Sequence, residues 1–233
     1  MTCTLPNSAI KHPVTDGTLA ARKVFVLIAC EESQTECLAF RKAGAIAYSC
    51  DLQPCSGSHP EWHFMGDALQ HLAPGRYITE SGLSVDIPHW DLLIAHPPCT
   101  YLSRAAASYL YPGGQLDKER YELGLKARSF FMKFLHAQVP FICVENPTPF
   151  KVFNLPPPSF YVNPSDFGSP WLKKTLYWTT PNLPPLMLGC SFPRPQSFVY
   201  STKGSKKRSK SFPEIAEAMA TQWLHIILDS FTL

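Results

Sequence analysis

The chain has 233 residues, 45% of them hydrophobic, and a formal net charge of +3. That length fits one domain with at most a small lobe, and the apolar share supplies a real core. No run of eighteen apolar residues and no leader-like N-terminal segment is visible, which excludes a membrane-spanning helix and makes the cytoplasm the expected setting. The charge is too small to establish a polyanionic partner by itself. The eight cysteines form no CxxC pair, and several lie in or beside apolar runs, the habit of reduced, buried thiols.

Residues 1–22 show no periodicity and read as a loose tail, leaving 23–233 as a single domain. Lys23 to Cys30 is apolar nearly throughout, as a buried parallel strand would be. Ser33 to Ala43 reads as a helix with Cys37, Leu38 and Phe40 inward and Gly44 closing it. Ala45 to Cys50 is a second strand ending at Asp51. Trp90 to Ala95 is another strand, stopped sharply by Pro97 and Pro98. Arg120 to His136 is the longest amphipathic helix, with Leu123, Phe130, Phe131, Phe134 and Leu135 inward. Val139 to Val144 is a strand ending at Glu145, and Thr175 to Trp178 is a short one. Many of the 23 prolines cluster between Pro147 and Pro195, so residues 179–211 form a reduced, irregular segment holding a basic patch from Lys203 to Lys210. Ser211 and Glu214 make a capping-box pattern, with Pro213 in the first turn, for a final helix to about Leu228. Strands alternating with helices predict a doubly wound, Rossmann-like α/β fold.

In such a sheet the strand ends open on one edge, where ligands bind. Those ends carry Glu31 and Glu32, Asp51, Cys99 at the proline break, and Glu145 with Asn146. An acid after the second strand suits a ribose hydroxyl of an adenosine cofactor, the place of Asp51, and Asp67 in the Gly66–Asp67 turn is placed to reach the adenine. Cys55, His59 and His63 have the spacing C-x3-H-x3-H but lack a fourth ligand, so a metal-free loop is expected. For Cys99 the plain alternative is a small buried residue in a turn.

Cys99 in HPPC followed much later by ENP (Glu145 to Pro147) resembles the DNA cytosine-5 methyltransferases, in motif order from about Val24 to Trp178. CEESQTECLAFRKAGAIAYSCDL (Cys30 to Leu52) is similar to that family's first two motifs, GDAL (Gly66 to Leu69) to its third, and FGSPWLKKTLYW (Phe167 to Trp178) to the later motif whose basic residues support the site. Small, phage-type members of the group are similar too, which would place the chain in a bacterial host. The resemblance implies an S-adenosylmethionine-dependent methyltransferase fold and methyl transfer to carbon 5 of cytosine in DNA. Cys99 would be the nucleophile that adds at carbon 6, Glu145 would hold ring nitrogen 3 and the amino group, Asn146 would orient the loop, and Lys173 or Lys174 would support the base. Cys30, Glu31, Glu32, Asp51, Leu52, Asp67, Ala68, His96 and Pro97 would line the S-adenosyl-L-methionine site. Ser103, Arg104, Lys203, Lys206, Lys207 and Arg208 are the expected nucleic-acid contacts. The stretch from Tyr101 to Arg120 would be a mobile loop closing over a flipped base.

Three departures keep alternatives open. The first loop, ACEESQTE, has no glycine; WLKKT replaces paired arginines; and the segment after Trp178 is too short for a full target-recognition domain. Free cytosine nucleotides or single-stranded nucleic acid would then be substrates, or a protein partner would supply recognition. HPPCTY also permits methylation of an exocyclic amino group, and the glycine-free loop permits a catalytically silent binding module.

Overall fold

Five apolar residues, Phe25–Ala29 (β1), form an inner strand of a seven-stranded sheet in the computed structural model, which describes residues 22–189, 191, 193–202 and 210–232. Then follow α1 (Thr35–Lys42), β2 (Ile46–Asp51), β3 (His63–Met65), β4 (Gly75–Ile78), β5 (Ser84–Ile87) and β6 (Leu92–Ala95). After these come α2 (Ala107–Leu110), α3 (Lys118–Leu135), β7 (Phe141–Asn146), β8 (Phe160–Val162), β9 (Trp171–Leu172) and β10 (Thr175–Thr179). β11 (Gln196–Ser197), α4 (Phe198–Ser201) and α5 (Pro213–Asp229) complete the described elements.

The sheet order is β3-β2-β1-β6-β7-β10-β8. The first five strands run parallel, and β10 lies antiparallel between β7 and β8. The winding reverses beside β1, with β2 on one side and β6 on the other, so a crevice opens at the ends of β1 and β6. Burial on both faces explains why β1, β6 and β7 read as continuous apolar runs. Val26, Ile28, Leu92, Ile94, Phe141 and Cys143 pack on one face with Cys37 and Phe40 of α1 and with Ile215, Met219, Trp223 and Ile227 of α5. Leu27, Leu93, Ile142 and Val144 pack on the other with Phe131 and Phe134 of α3. This is a mixed α/β architecture with a central, mostly parallel sheet between helices. No helix among the described residues is long and apolar enough to cross a membrane.

Gly44 closes α1 as the sequence predicts. It adopts φ +99°, and Gly44 N–H→Arg41 with Ala45 N–H→Phe40 make the paired bonds of a Schellman stop. Two expectations change. The inner face of α1 includes Glu36, buried, whereas Leu38 is half-buried. The final helix has Phe212 at its N-cap with no side-chain cap, so Ser211 does not close the predicted capping box. The short strands β3, β8, β9 and β11 and the β4–β5 hairpin were not expected. The segment after Trp178 is partly core: Leu183 and Leu186 are buried, and Trp223 Nε1 donates to the Pro184 carbonyl at 3.1 Å.

Candidate active site

The site is built where β6 stops. His96 N–H still donates to the Ala29 carbonyl of β1 at 2.9 Å, and then Pro97 and Pro98 end the pairing. The Cys99 carbonyl accepts from the N–H groups of Leu102 and Ser103, so the cysteine heads a tight turn. Asn146, at the end of neighbouring β7 and 1% exposed, donates from Nδ2 to the Pro97 carbonyl at 2.8 Å. Arg104 N–H→Thr148 and Phe150 N–H→Leu102 tie the turn to the segment after β7. Arg120 donates to the Thr100 carbonyl at 2.9 Å and lies over Tyr101 and Tyr109. The Cys99 turn is therefore fixed from β7, from the segment beyond it and from α3.

Three of the expected catalytic groups bear on one another. Burial first, and Glu145 second, push the Cys99 thiol above its ordinary value, while Lys173 pulls it down. Of the two lysines, only Lys173 acts on the Cys99 thiol, with its ammonium over the Phe212 ring at 5.5 Å; the Lys174 ammonium lies over Tyr161 at 4.2 Å and is exposed.

Behind Glu145 lies a chain of buried charge. His96 Nδ1 is 3.3 Å from Glu145 Oε2, and its Nε2 is 3.3 Å from Glu36 Oε1 without a well-aligned hydrogen bond. Burial opposes the imidazolium, but Glu36 and Glu145 outweigh it and hold His96 well above the usual histidine range. Burial likewise opposes ionisation of Glu36, yet His96, Glu31 and Ser211 bring it down to about 2. Glu31 is driven up by burial and by the Glu36 charge. Its carboxyl oxygens accept from the N–H groups of Glu36 at 2.7 Å and Cys37 at 3.3 Å, doing for α1 what an N-cap side chain does.

Three of the expected cofactor residues are engaged within the protein. Glu31 is spent on the helix terminus. Glu32 accepts from the Ser56 hydroxyl and faces Lys210 at 4.0 Å. His96 is sandwiched between carboxylates. The other expected cofactor residues are Cys30, Asp51, Leu52, Asp67, Ala68 and Pro97, whose carbonyl is held by Asn146. Cys30 takes a left-handed backbone, φ +61°, and burial, Asp51, Cys50 and Asp67 all raise its thiol, so the ends of β1, β2 and β3 converge. Leu52 is 77% exposed beside the Asp51 carboxylate. Asp67 accepts from Leu69 N–H at 3.0 Å, and Ala68 is buried.

Ser103 is buried, and its hydroxyl accepts from Ala105 N–H, which removes it as a nucleic-acid contact. Arg104 is exposed. Lys203, Lys206, Lys207 and Arg208 lie outside the described residues. The stretch expected as a loop is instead α2 with short 3-10 turns, ending at the Asp117 cap of α3. His59 stacks on Trp62 at 4.1 Å, and His63 is buried between Ser49 and the Gln53 carbonyl. Among the described residues no group of three or more histidines, cysteines and carboxylates is placed to hold a metal.

Sequence reasoning missed Glu36 and Arg120. Glu36 had a signal: it stands four residues before Phe40, on the inward stripe of a helix, where an acid needs a partner. Comparison with known proteins finds no family model that matches this chain and no curated protein similar to it.

Proposed function

We propose that this chain, with a Rossmann-like methyltransferase fold, transfers a methyl group from S-adenosyl-L-methionine to carbon 5 of cytosine in DNA through a covalent adduct on Cys99. The observation that carries this reading is Cys99 at the head of the turn that ends β6 beside the crevice, with Asn146 of β7 fixing that turn from Pro97 and Glu145 standing next to Asn146 in β7. The crevice residues fit the adenosine half of the cofactor. Asp51 offers a carboxylate for the ribose hydroxyls, exposed Leu52 an apolar face for the purine, and Asp67 with Ala68 the far wall. Cys30, in its left-handed conformation, brings the backbone close where the sequence has no glycine. When bound there, the cofactor supplies an electrophilic methyl group.

The chain's own residues prepare the base. The Cys99 thiolate adds to carbon 6, which places electron density on carbon 5 and ring nitrogen 3. Glu145 receives that nitrogen and the exocyclic amino group, stabilising charge as it develops. Lys173 favours the thiolate that burial and Glu145 oppose. Asn146 keeps the sulfur in line by holding Pro97. The cytosine must leave a duplex stack to reach this turn, which is easiest for unpaired DNA. Because Leu183 and Leu186 are committed to the core and Gln196–Ser197 to β11, a partner protein supplies sequence recognition.

DNA carrying 5-fluorocytosine tests the reading, since fluorine cannot leave as a proton does and the adduct should persist. A denaturation-resistant complex that depends on cofactor and is lost in Cys99→Ser supports it. Methyl transfer to ordinary DNA with no trapped complex means amino-group chemistry and overturns the covalent mechanism.

A further inference from the structure

We infer that His96 is the proton store for Glu145: its Nδ1 proton passes to Glu145 Oε2 and on to N3 of cytosine as the Cys99 sulfur adds at carbon 6, and it returns when the sulfur leaves. The inference rests on the proposed cytosine reading and extends it to a positioning residue that acts on the base only through Glu145.

The geometry supplies the path. One imidazole nitrogen faces each carboxylate at 3.3 Å, and the His96 side chain is 14% exposed, so water is a poor competitor for the proton. A buried ion pair is weak support for stability, because desolvation offsets most of the attraction. Here the pairing is also incomplete: His96 Nε2, Glu36 Oε2 and Asn146 Oδ1 are buried without a hydrogen-bond partner. Such orphans in a native interior need an explanation, and a proton that must move supplies one. The titratable groups that act on His96 are Glu36 on α1 and Glu145 on β7, with Glu31 ahead of α1 also interacting with it; Cys143 on β7 and Tyr177 on β10 feel the Glu145 and Glu36 charges, as Cys99 feels Glu145 and Lys173.

The bookkeeping closes. Cys99 first loses its thiol proton to solvent. The thiolate then forms the sulfur–carbon bond, and N3, now the strongest base present, takes the proton that His96 passes through Glu145, which leaves His96 neutral and Glu145 a carboxylate as before. After methyl transfer the carbon 5 proton departs to solvent, the sulfur–carbon bond breaks, and the N3 proton retraces its path. Glu36 keeps its negative charge throughout and sets how tightly His96 holds the proton.

The test compares pH–rate profiles for cytosine methylation by the parent, Glu36→Gln and His96→Gln, with thermal melting as a folding control. The parent should lose activity on the alkaline side as His96 deprotonates. Glu36→Gln, which removes a charge 3.3 Å from the ring, should move that limb to lower pH by about 1–3 units. His96→Gln should abolish the limb and lower kcat about 100-fold with KM unchanged. If Glu36→Gln does not fold, the His96 imidazole resonance of the parent should titrate at the alkaline limb; titration elsewhere overturns the inference. An active parent whose limb stays in place in Glu36→Gln overturns the inference and leaves the cytosine reading standing. A parent with no methylation removes the cytosine reading, and the inference with it.

Discussion

Gly124 lies inside α3 against Phe153, and replacing it with alanine measures how firmly the active-site turn is braced. A Cβ at Gly124 would meet the Phe153 ring at 2.1 and 2.2 Å. Carbon atoms rest about 3.5 Å apart or more, so the ring would have to retreat by about 1.4 Å. It has little room: Phe153 is 1% exposed and stacks on Tyr121 at 5.7 Å. Overpacking of this severity costs about 3 kcal/mol. Alanine returns about 1 kcal/mol as a better helix former, leaving a net loss of about 2 kcal/mol. For a domain of this size that lowers Tm by about 4–8 °C. The strain also reaches the site, because Phe150, three residues earlier, donates to Leu102 in the Cys99 turn. Calorimetry on Gly124→Ala, Phe153→Leu and the double variant separates the terms, since two residues in contact should couple by about 1–2 kcal/mol. A Gly124→Ala protein more stable than the parent, or strictly additive effects, would refute the packing argument.

Peptide-resolved alkylation should show Cys99 reacting only at a higher pH than an ordinary thiol, since burial and Glu145 raise it. Lys173→Met should push that onset higher still, and Lys174→Met should leave it alone. Equal effects from the two lysines would contradict the assignment of Lys173 to the site. Asn146→Ala leaves the Pro97 carbonyl unpaired in the interior, at a cost of about 1–3 kcal/mol, and should slow adduct formation on 5-fluorocytosine DNA by about 100-fold through misplacement of the sulfur. Unchanged adduct rates would show that the turn holds itself.

The long, two-sided elements were legible in the sequence for a physical reason. β1, β6 and β7 are covered on both faces and so are written as apolar runs, and α3 and α5 carry stripes wide enough to read. β3 and β8, at three residues each, gain their stability from neighbours rather than from pattern, and His63–Phe64–Met65 gives no alternation to detect. Strand ends gave away Cys99, Asp51, Glu145 and Asn146, because a parallel sheet sends all its carboxyl ends to one edge. What the sequence hid was direction. Glu31 and Glu32 follow β1 where a cofactor loop belongs, but helix α1 takes one carboxylate and Ser56 with Lys210 the other. His96 reads as part of the proline turn, and only the fold puts Glu36 and Glu145 on its two nitrogens. Ser211 likewise matches a capping pattern, but Phe212 takes the N-cap position of the final helix.

The most direct test of the central claim is nucleoside mass spectrometry on DNA from cells expressing the parent chain, beside Cys99→Ser. The expected result is 5-methylcytosine in the first and none in the second, with both proteins folded. A methyl group on the exocyclic nitrogen, or 5-methylcytosine that survives loss of the Cys99 sulfur, would contradict it.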